Sequence, residues 1–173
     1  MVRCEPYYSS PRILRFKALE GLLIIYLIGS LRNPEVPKVG NYLRSLGHEV
    51  VDDWYSTGPE ADDKWREYEC ERGRTYRDTL RGLYARHVFS FDFFHLNRCE
   101  TGILLLPAGR SGHLEAGYLA GQGKPVYIIL GGHYDRWDVM YQFADEVFDT
   151  VEELGGYLNG DKLSAGSSSQ GSR

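Results

Sequence analysis

The sequence predicts an α/β domain: one doubly wound, mostly parallel five-stranded sheet with helices on both faces. Three observations predict it. Apolar runs closed by Gly or Pro recur along the chain, at residues 22–28, 101–106 and 125–130. Stretches with helical spacing of apolar residues separate them. The length of 173 residues suits a single domain, and a composition of 42% hydrophobic and 25% charged residues is that of an ordinary globular chain.

The elements follow in order. Residues 1–21 show no period, and Pro6, Pro11, Ser9 and Ser10 mark an irregular arm. Leu22 opens a seven-residue apolar run ending at Ile28 and closed by Gly29, as a strand buried on both faces would read. Val36, Val39, Leu43 and Leu46 predict a helix over 34–46, stopped by Gly47. A short strand follows at 49–51. Residues 57–86 are polar, and Trp65, Tyr68, Arg72, Tyr76, Leu80 and Leu83 fit one helical stripe. A helix is predicted over 91–99 with Ser90 as its N-cap. The third strand, 101–106, stops at Pro107; a tight turn at 109–112 leads to a helix over 113–121. The fourth strand, 125–130, stops at Gly131. A fifth strand near 146–148 and a helix over 151–158 complete the domain at about 22–160, and the Ser- and Gly-rich residues 161–173 predict a disordered tail. Alternating strands and helices imply βαβ units in a flavodoxin-like or related Rossmann-like order. Ligands bind such sheets at the carboxyl ends of the strands, near the switch point.

Composition excludes several functions. A net charge of −4 gives no basic field for nucleic acid or an acidic membrane surface. The longest apolar run is far short of the ~20 residues that span a bilayer. Cys4, Cys70 and Cys99 are an odd, scattered set, which speaks against a disulfide framework and fits a cytoplasmic location. His95 and Cys99 lie one helical turn apart, but third and fourth ligands are lacking, so no metal is expected.

Three segments could carry chemistry. After the first strand, Gly29 permits close backbone approach, while Ser30 and Arg32 suit a phosphate or carboxylate; a plain turn with a solvated arginine is the alternative. Around residues 109–115, Gly109, Arg110, Ser111 and Gly112 lead into a helix N-terminus that favours negative charge. Glu115 is expected in that helix's first turn, where the dipole would keep it ionised, or would simply be complemented by it. Asp92 is expected near a helix start among aromatics, either holding a proton through burial or satisfied by local N–H groups. His113 could touch a ligand or cap backbone.

Together these segments resemble the nucleoside 2-deoxyribosyltransferase family, including its 2'-deoxynucleoside 5'-phosphate N-hydrolase branch. Residues 25–32 (IYLIGSLR) look like the family's YxxGSxR opening, Asp92 like its helix aspartate, and residues 112–118 (GHLEAGY) like its GxxExG segment. The resemblance spans residues 24–130. It implies that Glu115 attacks C1' of the sugar and that Asp92 protonates the departing base. It also implies that Tyr26 hydrogen-bonds Glu115. A second base then takes the sugar in a transferase, and water takes it in a hydrolase of nucleoside monophosphates. A non-catalytic nucleotide-binding module of the same fold is a further alternative. In the hydrolase branch, Ser30 and Arg32 would meet the phosphate, with Arg110 and Ser111 extending the cradle. Gly109 stands where that branch carries a serine. Trp54, just past a strand's carboxyl end, is the candidate for stacking on a base, with Phe91, Phe93 and Tyr118 nearby as core or interface aromatics. The resemblance implies no cofactor, a nucleoside or nucleotide and a nucleobase as small-molecule partners, and a homo-oligomer.

Overall fold

A computed structural model of the chain describes residues 21–133 and 137–160. The expected arm (but for Gly21) and tail lie outside the described residues. The strands are β1 (Ile24–Ile28), β2 (Glu49–Val51), β3 (Thr101–Leu105), β4 (Val126–Ile129) and β5 (Glu146–Phe148). All pair in parallel, in the order β2-β1-β3-β4-β5. The chain therefore leaves β1 toward one edge and returns to β3 on the other side. The switch point lies between the carboxyl ends of β1 and β3, where such sheets hold ligands.

Strand periodicity divides the core. Ile25, Leu27, Ile103, Leu105, Tyr127 and Ile129 point to one face, against α1 (Val36–Ser45) and α6 (Val151–Leu158). Tyr26, Ile28, Leu104, Val126 and Ile128 point to the other, with Leu96 from α4 (Leu83–Arg98) and Ala116 and Leu119 from α5 (Arg110–Gly121). Both faces are covered, which is why the strands read as continuous apolar runs.

Three expectations are corrected. The single stripe over 57–86 is broken into a 3-10 turn (Asp53–Thr57), α2 (Ala61–Glu71) and a one-turn α3 (Tyr76–Thr79). Gly73 at φ +69° turns the chain between the two helices, a conformation that side chains disfavour. Second, α4 starts eight residues before the expected 91, with Gly82 as its N-cap. No Gly or Pro interrupts residues 83–98, so nothing stops the helix there, and the Ser90 hydroxyl bonds inward to the Arg86 carbonyl at 2.7 Å instead of capping. Third, residues 110–112 are the first turn of α5 and not a tight turn. The 3-10 segment Val139–Phe143, between β4 and β5, had no counterpart in the sequence pattern. Among the described residues no helix is long and apolar enough to cross a membrane.

Candidate active site

The two corrected helices move both acidic candidates. Asp92 sits in the third turn of α4 and Glu115 in the second turn of α5. Neither caps a helix, so local N–H groups and the dipole's strong first turn do not account for either. Both are instead half-buried on the inner sides of their helices.

The approach of α5 to the sheet is close. Gly112 is buried, and a Cβ there would lie 3.0 Å from Ile28 Cγ2 and 3.4 Å from Leu104 Cδ1. The absent side chain lets the first turn of α5 press onto β1 and β3. Glu115, three residues on and so on the same helical face, is carried toward the middle of the sheet.

There it meets Tyr26, which is 1% exposed. The Tyr26 hydroxyl donates to Asp92 Oδ1 at 3.3 Å. The partner of Tyr26 is thus Asp92, where the sequence reading paired it with Glu115. Burial, then the charges of Glu115 and Asp92, push the Tyr26 phenol far above its ordinary value, so it stays a donor. Burial raises Glu115 to about 7, with the Asp92 charge adding to it. Burial also raises Asp92, while its hydrogen bond from Tyr26 and the nearby His95 pull it back. The dipole-ionised Glu115 expected from sequence is therefore corrected: the missing solvent outweighs a dipole one turn away. The two carboxyls feel each other's charge, so their titration belongs to the pair.

The other candidates lie on the turns after β1, β2 and β3 and along α4 and α5. Ser30 and Arg32 lie on the turn after β1, with Ser30 Oγ accepting from the Arg32 backbone N–H at 3.2 Å. The Arg32 guanidinium donates to Asp63 Oδ2 of α2 at 2.8 Å. Gly109 is the N-cap of α5, no side chain caps that helix, and Arg110 and Ser111 are exposed in its first turn. His113 turns backward. Its Nδ1 lies 2.8 Å from the Gly109 carbonyl and so donates, which leaves Nε2 to accept from the Tyr141 hydroxyl at 3.1 Å. Trp54 is built into the fold: its indole N–H donates to the Leu27 carbonyl at 2.9 Å, and its ring lies 3.5 Å from where a Gly29 Cβ would be. Phe93 meets Tyr118 across the α4–α5 seam at 5.5 Å between ring centroids, and Phe91 lies against His95. Cys99 bonds back to the Leu96 carbonyl.

Two residues escaped sequence reasoning. Asn33, 4% exposed, donates through Nδ2 to the Leu106 carbonyl at 3.2 Å and accepts from the Glu35 N–H at 3.0 Å. It ties the turn after β1 to the turn after β3. An Asn-Pro step, Asn33-Pro34, in the turn ahead of α1 is the signal that could have found it. Asp63 lay hidden in a charged run.

No protein-family model and no curated protein matches the sequence. Among solved structures, the chain is similar to the 2-deoxyribosyltransferase of the psychrotolerant bacterium Bacillus psychrosaccharolyticus, with a TM-score of 0.52. The match covers 78% of this chain and 91% of that one at 20% identity. That enzyme is described as a biocatalyst for the synthesis of antiviral and antitumoral nucleosides. At this identity the likeness is one of fold.

Proposed function

We propose that this chain is an enzyme that cleaves the N-glycosidic bond of nucleosides or nucleotides and passes the sugar to another base. The observation that carries the reading is the buried set Glu115–Tyr26–Asp92 beside the switch point. The 2-deoxyribosyltransferase with the same fold supports it.

The chemistry follows from the geometry. A Glu115 oxygen attacks C1' as the bond from C1' to the base nitrogen breaks. The oxocarbenium-like transition state is cationic, and a carboxylate held away from water stabilises it strongly. Asp92, raised by burial, gives its proton to the departing base, which would otherwise leave as a poor anion. Tyr26 holds Asp92 in place. In the second half, a nitrogen of the incoming base attacks C1', the bond to Glu115 breaks, and the proton of that nitrogen returns to Asp92. Water in place of the base gives hydrolysis.

A second reading, hydrolysis of nucleoside 5'-monophosphates, is favoured by one observation: Ser30, Arg32 and the uncapped first turn of α5, groups that suit a phosphate, follow the carboxyl ends of the neighbouring strands β1 and β3. A panel of nucleosides and monophosphates, incubated with and without a second base, tests both. Base release stimulated by the second base supports transfer, and release from monophosphates alone supports hydrolysis. No release from any substrate would leave a nucleotide-binding module. Partners are accordingly a nucleoside or nucleotide and a base. The scattered cysteines are consistent with a reducing, cytoplasmic setting. We also propose a homo-oligomer, assembled through the apolar outer face of α4.

A further inference from the structure

Arg32 is a cation at the switch-point edge, and it is already engaged. Its Nη2 donates to Asp63 Oδ2 at 2.8 Å, while the other oxygen of Asp63, Oδ1, faces Arg66 Nη2 at 3.4 Å. Asp63 thus stands between two guanidinium groups, one on the site's loop and one on its own helix. The side chains of Arg32 and Asp63 are 55% and 46% exposed, so solvent screens the pair and it is weakly held. A phosphate dianion offers Arg32 more charge and a two-pronged set of acceptors, which guanidinium prefers. Ser30 accepts from the Arg32 backbone N–H, so its own hydroxyl proton remains available to donate. The turn carrying both residues is tied through Asn33 to the Leu106 carbonyl, and so to the chain that enters α5.

We propose that Asp63 is a specificity-determining residue: it is the resident counter-ion of Arg32, and a phosphate monoester on the substrate binds by taking Arg32 while Asp63 passes to Arg66. The inference rests on the second reading above, in which the substrate carries a 5'-phosphate. The exchange leaves every charge paired: Arg32 with phosphate, Asp63 with Arg66. It also releases the one side-chain tie described between α2 and the turn after β1. A substrate without phosphate leaves Arg32 on Asp63. The carboxylate therefore sets how strongly the phosphate is preferred.

The test is calorimetric titration of the full chain with inorganic phosphate at fixed ionic strength, alongside a nucleoside and its 5'-monophosphate. Four proteins are compared: wild type, Asp63→Asn, Arg66→Gln and the double variant. All the changed side chains are substantially exposed, so folding is not at stake. Removing the competing carboxylate in Asp63→Asn is expected to tighten phosphate by roughly two- to five-fold. Arg66→Gln is expected to weaken phosphate in the wild-type background and to change nothing once Asp63 is gone. Equal weakening in both backgrounds would show that Arg66 acts only through its general field, and would overturn the exchange. So would an Asp63→Asn chain that binds phosphate no better than wild type, or a wild type that does not bind it at all. These readouts need no turnover. Absence of base release in the substrate panel would defeat the enzymatic reading and leave the phosphate result to stand or fall separately.

Discussion

Glu115, the proposed nucleophile, also bears on stability. Its carboxyl moves from 4.5 to about 7 on folding. A carboxyl raised in the native state weakens folding as pH climbs through that window, because the unfolded chain ionises first. The effect is absent below 4.5 and complete above about 7. Glu115→Gln is therefore expected to be more stable than wild type at pH 8, by on the order of 2–3 kcal/mol, and to lose that advantage near pH 4. Denaturant melts at the two pH values measure it, and an equal difference at both would remove the burial argument. In the proposed reaction ordinary substrates need Glu115 ionised and Asp92 protonated, so turnover should rise as pH climbs toward about 7, where Glu115 ionises, and fall where Asp92 gives up its proton. A substrate with an activated leaving group needs no proton, so its rate should climb through the same pH and hold. Asp92→Asn is expected to slow ordinary substrates by a factor of 10² or more and activated ones little. Pre-steady-state rates on the two substrate types decide it, and equal losses would deny Asp92 the acid role.

At the scale of elements, α5 and α4 place the carboxyls, and Gly112 sets how closely α5 lies. Gly112→Ala puts a methyl 3.0 Å from Ile28 Cγ2 and pushes the helix outward. We expect a loss of about 1–3 kcal/mol in a denaturant melt, with turnover reduced further than binding. Unchanged stability and turnover would mean that α5 is not held by this contact. The elements also show what the sequence revealed. Three of the five strands were legible because apolar runs such as residues 22–28 end at Gly or Pro, and both faces of the sheet are covered there. The start of α4 was not. Phe89, Phe91, Phe93 and Phe94 place rings around the helix, so no apolar stripe marks its register. That one boundary displaced Asp92 from a first turn to a third. The early start of α5 moved Glu115 from a first turn to a second. The sequence could name Glu115, Asp92 and Tyr26 as candidates, whereas their protonation depends on packing that no local pattern carries. The Arg32–Asp63 pair joins positions 31 apart, across a segment whose charges all looked solvated.

For the whole molecule, the outer side of α4 is apolar and exposed, and it is the face proposed to meet a second copy. Leu83, Phe89 and Phe94 are 79%, 63% and 63% exposed, on the helix that carries Asp92. A shallow cleft lined by Phe89, Phe93, Phe94 and Asn97 runs along it. Monomers rarely expose apolar patches beyond about 600 Å². Light scattering is expected to find a dimer or larger species for wild type, and a smaller one for Phe94→Glu. A monomeric wild type at every concentration would leave this face without a second copy.

The claim at the centre is that Glu115 bonds to the sugar. A nucleoside bearing a fluorinated sugar that slows breakdown of the covalent species tests it directly, read by mass spectrometry of the proteolysed chain. The account predicts one sugar residue added to the peptide bearing Glu115 and none in Glu115→Gln. Free base released while Glu115 stays unmodified would contradict it.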